Sequence, residues 1–281
     1  MSASRIGFRV LLRDPMGLFG LVLAAVLILS ALFAPLLASH DPAAIDVAVK
    51  LQPPSAAHWL GTDEIGRDTW SRVLYGGRVA LAVALSATFL SVVFGGLLGL
   101  IAALGPRWLD QGLTLLFDTV RSYPVIILAL AIGPIFGGGM VVLMGLLVAT
   151  SVPYYGRIMR TSVIAEASSD YVEALRAMGM GRIRIALRHI LPNVIGPILI
   201  LASMDIPGFI MAEAGISFLG VGVKAPDTSW GMILDQGFRY IGHTPWLVIA
   251  GGAPLILATL GFTFLGEALR DAYDPRLKRR G

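Results

Sequence analysis

Residues 169–193, SDYVEALRAMGMGRIRIALRHILPN, form a charged island between long uncharged runs. The pattern predicts two short helices joined by a bend. Asp170 is suited to cap the first helix, with Glu173 three residues later reaching back toward it. Gly179 and Gly181 offer positions where a helix can stop and turn. Such a basic helix–turn–helix suits insertion into a groove of a partner protein, but it also fits an ordinary loop that obeys the positive-inside bias.

The composition is that of a membrane protein. Of the 281 residues, 56% are hydrophobic and only 14% are charged, with a mean hydropathy of +0.77, whereas about a quarter of the residues in soluble domains are charged. The absence of cysteine excludes disulfides, thiolate metal sites and thiol catalysis. The four histidines, His40, His58, His189 and His243, are too scattered along the sequence to suggest a metal cluster, so no metal site is expected.

The first transmembrane helix is predicted at about residues 17–38. These 22 uncharged residues would span about 33 Å as a helix, against roughly 30 Å of hydrocarbon. Arg5, Arg9 and Arg13 precede them, as in a signal peptide, but the apolar core of a signal peptide is only about 7–15 residues long. We therefore interpret the run as a retained helix.

Five further spans are predicted from the remaining apolar runs. They lie at 79–104, around 113–135, around 140–157, at 190–212 and at 244–266. Three prolines, Pro192, Pro197 and Pro207, are expected to interrupt the fifth span. The sequence therefore predicts an all-α integral membrane protein with six transmembrane helices.

Residue spacing also predicts local contacts. Gly95, Gly96 and Gly99 give the second span a small-residue face that another helix can approach closely. Asp118 and Arg121 are three residues apart and could pair on one helix face.

Within the polar segment at 39–78, the string at 60–78 is compatible with a capped amphipathic helix that lies at the membrane interface. Either Thr62 or Asp63 could start that helix.

The distribution of basic residues predicts the orientation of the chain. With the N-terminus inside, sixteen of the 22 Lys and Arg residues fall on cytoplasmic segments and six on external segments. Because Lys and Arg are enriched in cytoplasmic loops, both termini and the segment at 169–193 are expected in the cytoplasm.

No catalytic arrangement stands out in the sequence. The phosphate-binding pattern G-x-x-x-x-G-K-[ST] is absent, so the chain lacks the cradle needed to hydrolyse ATP itself. Asp205 is the one charge well inside a predicted span, where it should face protein or a water-filled cavity. It could attract the cationic end of a substrate or hydrogen-bond backbone freed by Pro207. Glu213, near the outer end of the same helix, is a second candidate for lining the pathway.

The segment at 169–193 resembles the EAA loop of ABC importer permeases. The similarity lies in Glu173-Ala174-Leu175, in Gly179 six residues after Glu173, and in Leu191-Pro192 twelve residues after Gly179. Leu175 stands where the family usually has a second alanine, and His189 where many members have isoleucine. The string at 188–193 instead resembles the dipeptide, oligopeptide and nickel permease branch.

Three more islands of sequence resemble the same branch. They are the strings at 60–78, at 213–231 and at 267–276. The resemblance implies a six-helix permease whose last five helices form the type I importer core. It further implies three segments. Residues 1–78 would form the N-terminal tail, the first helix and an extracytoplasmic segment. Residues 79–270 would form the core, with coupling helices at 170–189, and residues 271–281 a cytoplasmic tail.

In this family the EAA loop docks on the ATPase subunit. The resemblance therefore assigns coupling roles to Asp170, Glu173, Ala174, Leu175, Arg176, Gly179, Arg182, His189, Leu191 and Pro192. It implies a bacterial cytoplasmic membrane complex with a second homologous permease, two ATP-binding subunits and an extracytoplasmic binding protein. ATP and Mg²⁺ would be bound by the ATPases, and this chain would bind no cofactor and no nucleic acid.

The expected cargo is a short peptide, with nickel complexes, glutathione or another small solute as alternatives. An ion-coupled secondary transporter is a rival class, but it predicts more membrane-buried carboxylates and often repeats of broken helices. An intramembrane enzyme would need several ionisable groups at one depth, and the sequence offers neither pattern.

Overall fold

The computed structural model describes residues 14–273, and within that range it is helical, with one isolated β-bridge between Thr62 and Asp68. Most of the predicted cytoplasmic tail and the basic N-terminal residues lie outside the described residues. The α-helices, in chain order, are α1 (Pro15–Leu32), α2 (Ala34–Leu37), α3 (Thr69–Leu104), α4 (Arg107–Arg121), α5 (Val125–Phe136), α6 (Met140–Ala167), α7 (Asp170–Ala177), α8 (Arg182–Ile185), α9 (Leu191–Phe218), α10 (Trp230–Arg239) and α11 (Trp246–Tyr273).

Five of the helical segments are long and apolar enough to cross a membrane: α1, α3, α6, the segment from Arg182 to Phe218, and α11. The consecutive helices α4 and α5 give a sixth span if the bent pair is counted as one. The prediction of an all-α membrane protein with six spans is therefore confirmed, with the third span in two pieces.

The third span differs from the single helix predicted at 113–135. The chain breaks at residues 122–124 between α4 and α5. Pro124 is the reason, because proline disfavours helical geometry at the residue before it. The proposed pair of Asp118 with Arg121 is also wrong. Asp118 instead forms an ion pair with Arg157 of α6, while the Arg121 guanidinium lies over the Tyr154 ring.

The second span begins ten residues earlier than predicted. No helix starts at Thr62 or Asp63, and α3 runs from Thr69 to Leu104. The chain at 62–68 instead turns back on itself, and the Asp68 carboxylate accepts a 2.8 Å hydrogen bond from the backbone N–H of Ser71. Asp68 thus satisfies an otherwise unpaired N–H in the first turn of α3, which is how a side chain caps a helix.

The fifth span is not interrupted by its prolines. A π-helical turn at Ala186–Ile190 joins α8 to α9, so the apolar segment is helical from Arg182 to Phe218. Pro192 lacks an N–H and its ring would clash with the carbonyl of Arg188 in a regular helix. A widened turn just before the proline relieves that clash and lets the helix continue.

The chain divides into two compact units. The first comprises the residues up to 86, those at 126–144 and those from 204 onward. In this unit α1 packs on α11, where Phe19 and Phe264 meet edge to face with ring centroids 6.1 Å apart. The second unit comprises residues 87–125 and 145–203. Its core contains Tyr155, Met159 and Val163 of α6.

The glycine face predicted on the second span is confirmed for two of its three residues. A Cβ on Gly99 would lie 2.2 Å from the Gly156 carbonyl oxygen, and one on Gly95 would lie 2.6 Å from the Val152 carbonyl oxygen. A Cβ added at Gly96 would meet only the end of the Met159 side chain, at 3.3 Å. Helices α3 and α6 therefore approach closely, because Gly95 and Gly99 carry no side chain.

We expect Gly99→Ala to destabilise the purified protein, because the added methyl group would force α3 and α6 apart. The expected loss in the free energy of unfolding is about 1–3 kcal/mol. Gly145→Ala in α6 is the matched control, since nothing lies within 4 Å of its added Cβ. The control should be neutral or slightly stabilising, because alanine favours helix over glycine. Thermal unfolding midpoints measure the difference, and equal midpoints for the two variants would contradict the close approach.

Candidate functional site

The helix–turn–helix at 169–193 bends where the sequence predicted. Helix α7 ends at Ala177, and Gly179 has a left-handed φ of +81°. The N–H of Gly179 donates to the Arg176 carbonyl at 2.9 Å, and the N–H of Met180 donates to the Leu175 carbonyl at 3.1 Å. These two bonds form a Schellman motif, which closes a helix on a left-handed glycine.

The cap of α7 differs from the prediction. Ser169, in extended conformation, is the N-cap, and the helix already includes Asp170. The Ser169 carbonyl accepts the N–H groups of Val172 and Glu173, at 3.0 and 3.2 Å. Asp170 therefore lies in the first turn with Glu173, where both carboxylates interact favourably with the positive end of the helix dipole.

Most of the side chains assigned to coupling are exposed, which is what a docking surface requires. Leu175, His189 and Leu191 are partly buried, and the exposed residues are Asp170, Glu173, Ala174, Arg176, Gly179, Arg182 and Pro192. Large apolar side chains lie exposed among them: Met178 at 72%, Ile183 at 73% and Leu187 at 53%. Exposed apolar groups flanked by charges are typical of surfaces that bind another protein.

The same element is anchored firmly from beneath. Val172 of α7, Ile185 of α8 and Ile190 of the π-turn are at most 2% exposed. They pack in one apolar core with Tyr155 and Met159 of α6. One face of the helix–turn–helix is therefore fixed to the second unit while the opposite face is free to bind.

A polar cluster that sequence reasoning missed also holds this element. Tyr171 Oη donates to Glu166 Oε1 at 2.7 Å, and Asn193 Nδ2 donates to the same oxygen at 2.8 Å. Desolvation, and then the hydrogen bond to Glu166, raise the pKa of Tyr171, so the phenol stays protonated as a donor. The cluster links the end of α6, the start of α7 and the start of α9. Asn193, next to the Leu-Pro pair, was the only hint of it in the sequence.

Arg176 plays a second part in this anchoring. Its guanidinium Nη2 donates to the Ala167 carbonyl at 3.2 Å, at the C-terminal end of α6. Beside it lies a cleft of about 500 Å³. The cleft is lined by Ala103, Leu104, Ala167, Arg176, Met180, Gly181, Arg182, Ile185 and Ile190.

The two carboxylates predicted to line a pathway have different surroundings. Asp205 is partly buried, and its role in the pathway stays a prediction. Glu213 is fully buried and accepts a 2.7 Å hydrogen bond from Ser217 Oγ one turn along α9. Glu213 therefore does not border open space within the described chain. The two residues are eight positions apart, which is about 12 Å along a helix.

A buried ionic network fixes the segment ahead of α3. Asp63 and Arg72 are 0% and 1% exposed, and they pair directly. Asp63 Oδ2 also accepts from Arg67 Nε at 2.6 Å, and Arg72 Nη1 donates to Gln236 Oε1 of α10 at 2.7 Å. Arg72 Nη2 also donates to Thr228 Oγ1 at 3.3 Å. The network thus ties the string at 60–78 to the string at 213–231 and to α10, although sequence reasoning gave neither string a partner.

The sequence suggested that all four histidines are scattered, but two of them lie close together in the structure. The structure brings the rings of His40 and His58 to a centroid distance of 4.8 Å, next to Asp68. The chain between α2 and α3 folds back on itself there, which linear spacing could not reveal.

Comparison with known proteins gives two family matches. Residues 95–279 match the family described as binding-protein-dependent transport system inner membrane component. Residues 2–54 match the N-terminal transmembrane domain of oligopeptide transport permease C.

Named relatives cover almost the whole chain. A dipeptide transport system permease protein of Alkalihalophilus pseudofirmus is 38% identical over 278 residues, which is 99% of this chain and 91% of the relative. A putative peptide transport system permease protein of Brucella abortus is 37% identical over 273 residues, which is 97% of this chain and 92% of the relative.

A solved structure shares the fold. It is an inward-facing form of the MetNI methionine ABC transporter, aligned with a TM-score of 0.59 at 21% identity. The alignment covers 72% of this chain and 96% of that chain.

We expect Arg72→Met to destabilise the protein strongly. Removing one partner of a buried ion pair costs up to about 3–5 kcal/mol, and here the buried Asp63 charge would keep only Arg67 of its two arginine partners. Arg239→Met is the matched control, since its ion pair with Asp235 on α10 is exposed to solvent and exposed pairs contribute little. Unfolding midpoints and membrane yield measure both variants. The same small loss in each would show that the Asp63–Arg72 network does not hold the segment.

Proposed function

This chain belongs to the family of binding-protein-dependent transport system inner membrane components, and from that premise we propose that it is one of two permeases in an ATP-driven importer of short peptides. The observation that carries the proposal is the helix–turn–helix at 170–190, which is anchored on one face and exposed on the other. An element of this shape suits the transmission of force from a partner to the membrane helices.

The names of the relatives support short peptides as the cargo of this chain. Two of them, at 38% and 37% identity, are named as dipeptide and peptide transport permeases. Nickel complexes, glutathione or another small solute are the alternatives within the same machinery. An extracytoplasmic binding protein would deliver the cargo and contribute much of the selectivity.

The exposed face of α7 and α8 is the proposed docking site for a cytoplasmic ATPase. Met178, Ile183 and Leu187 would enter a groove of that partner. ATP and Mg²⁺ would be bound by two such subunits, since this sequence contains no phosphate-binding pattern of its own. Closure of the ATPases would push on this element, and its buried contacts would pass the movement to α6 and α9.

We expect Glu173→Lys to uncouple ATP hydrolysis from uptake, because it reverses a charge on the exposed face of α7 without altering the buried face. Gly179→Val should do the same, since valine strongly disfavours the left-handed backbone that closes the helix. The measurement is ATP-driven peptide uptake by purified complexes in vesicles, with ATPase activity and subunit composition recorded alongside.

Gly181→Val is the matched control for the glycine. Gly181 has a φ of −67° and nothing within 4 Å of an added Cβ, so uptake should be nearly unchanged. Wild-type uptake by both Glu173→Lys and Gly179→Val would contradict the coupling role.

The proposed orientation places both termini and the coupling element in the cytoplasm. Sixteen of the 22 basic residues support it. Because the chain has no native cysteine, single cysteines report the side directly. Ala57→Cys should react with an impermeant maleimide in intact cells, and Ser168→Cys should not. Both positions are exposed, so both should label after permeabilisation, and labelling of position 168 in intact cells would reverse the orientation.

A further inference from the structure

Two histidines and an aspartate converge where the segment between α2 and α3 folds back. One nitrogen each from His40 and His58 and one oxygen from Asp68 all lie within 4.8 Å of one another. The Nδ1 of His58 is 2.9 Å from Asp68 Oδ1, and the Nδ1 of His40 is 3.8 Å from the same oxygen. The His58 nitrogen is thus within hydrogen-bond distance of this carboxylate oxygen, whereas the His40 nitrogen lies nearby and contacts Ser39 Oγ at 3.0 Å.

The carboxylate is held in place by its second oxygen. Asp68 Oδ2 accepts from the Ser71 N–H at 2.8 Å, from Ser71 Oγ at 2.7 Å and from Ser39 Oγ at 3.2 Å. The Asp68 side chain is 1% exposed. Oδ2 is thus occupied by capping α3, which leaves Oδ1 for the imidazoles. Hydrogen bonds that orient a ligating carboxylate in this way are usual around metal sites.

Two of the three ligand separations lie near those of a small tetrahedral ion, and the separation of the two histidine nitrogens is at most 4.8 Å. Zinc binds imidazole nitrogen and carboxylate oxygen at about 2.0–2.2 Å, so neighbouring ligand atoms in a tetrahedral site lie about 3.3 Å apart. The two nitrogen–oxygen separations, 2.9 and 3.8 Å, lie on either side of that value. The His40 side chain is 43% exposed and can close the longer one by a small rotation.

The chemistry of the ligands narrows the choice of ion. Two imidazoles and one carboxylate suit zinc and its neighbours among the divalent transition metals. Calcium and magnesium are disfavoured, because both bind almost entirely through oxygen. We propose that His40, His58 and Asp68 form a three-ligand site for a divalent transition-metal ion of the zinc type.

A bound metal would take the place of the hydrogen bond between His58 and Asp68, since a ligating imidazole must present an unprotonated nitrogen. Because the His40 side chain is 43% exposed, water could reach a bound ion as a further ligand. The site joins His40, which follows α2, to Asp68, which immediately precedes α3, so a bound ion would cross-link the two ends of this segment. It does not depend on the cargo or on the coupling role proposed above.

The test is a zinc titration of the full-length chain, purified in detergent through an affinity tag without histidine. After chelator treatment and desalting, competition with a chromophoric chelator gives the stoichiometry and affinity. We expect one zinc equivalent per chain. Cobalt in its place should give the visible absorption of a tetrahedral site, and without cysteine no thiolate band can contribute.

Three variants separate a metal site from a purely structural hydrogen bond. His58→Asn keeps a side-chain donor for Asp68 but removes the imidazole, so the chain should fold and lose the zinc equivalent. His40→Ala should weaken zinc at least about tenfold, since even the loss of an outer-shell partner typically costs 10–100-fold. His243→Ala removes a histidine that contacts Tyr240 instead, and it should bind zinc like the wild type.

The proposal is overturned if the wild-type chain binds no more zinc than His58→Asn. Unchanged zinc affinity in His40→Ala would likewise overturn the three-ligand site, and so would loss of zinc binding in His243→Ala. In each case the cluster would be a hydrogen-bonded cap on α3 and nothing more.

Discussion

The constraint on which the structure depends is that backbone N–H and C=O groups in hydrocarbon must find partners within the chain. Helices satisfy that requirement locally, so the apolar runs of this protein become long helices. Two of the prolines show how the chain adapts when a donor is missing. At Pro124 the helix stops and restarts, whereas ahead of Pro192 a π-turn lets it continue. The bend in the third span and the continuity of the fifth both follow from local hydrogen bonding.

Between helices, hydrocarbon gives little hydrophobic driving force, so packing decides the arrangement. Gly95 and Gly99 let α3 reach the backbone of α6 in the second unit. The same α6 carries Tyr155 and Met159, on which Val172, Ile185 and Ile190 are anchored. The helix–turn–helix at 169–193, for which we propose a coupling role, is therefore fixed on a tightly packed helix pair. Such a base suits the transmission of movement, because a loosely held loop would absorb a push from a partner.

Polar residues serve a different purpose in the segment ahead of α3. The buried pair of Asp63 and Arg72 links this segment to α10. Asp68 caps α3, and its carboxylate lies within hydrogen-bond distance of the His58 ring. Buried charges are tolerated here because each carboxylate has several donors, which offsets the loss of water. The segment is thus an ordered part of the first unit, although its sequence is rich in the residues of turns.

The sequence by itself determined that the chain is helical with six apolar spans, and that a helix ends near Gly179, because apolar run length and a glycine suited to a left-handed turn act over a few neighbouring residues. It did not determine where the second span begins, that the third is broken or that the fifth continues through its prolines. It could not determine that Asp118 pairs with Arg157 and not with Arg121, or that Tyr171 and Asn193 meet on Glu166. Nor could it reveal that His40 lies beside His58. Each of these contacts joins side chains whose closeness depends on the path of the chain between them. Only the tertiary structure decides that path, because many local patterns are compatible with several long-range pairings.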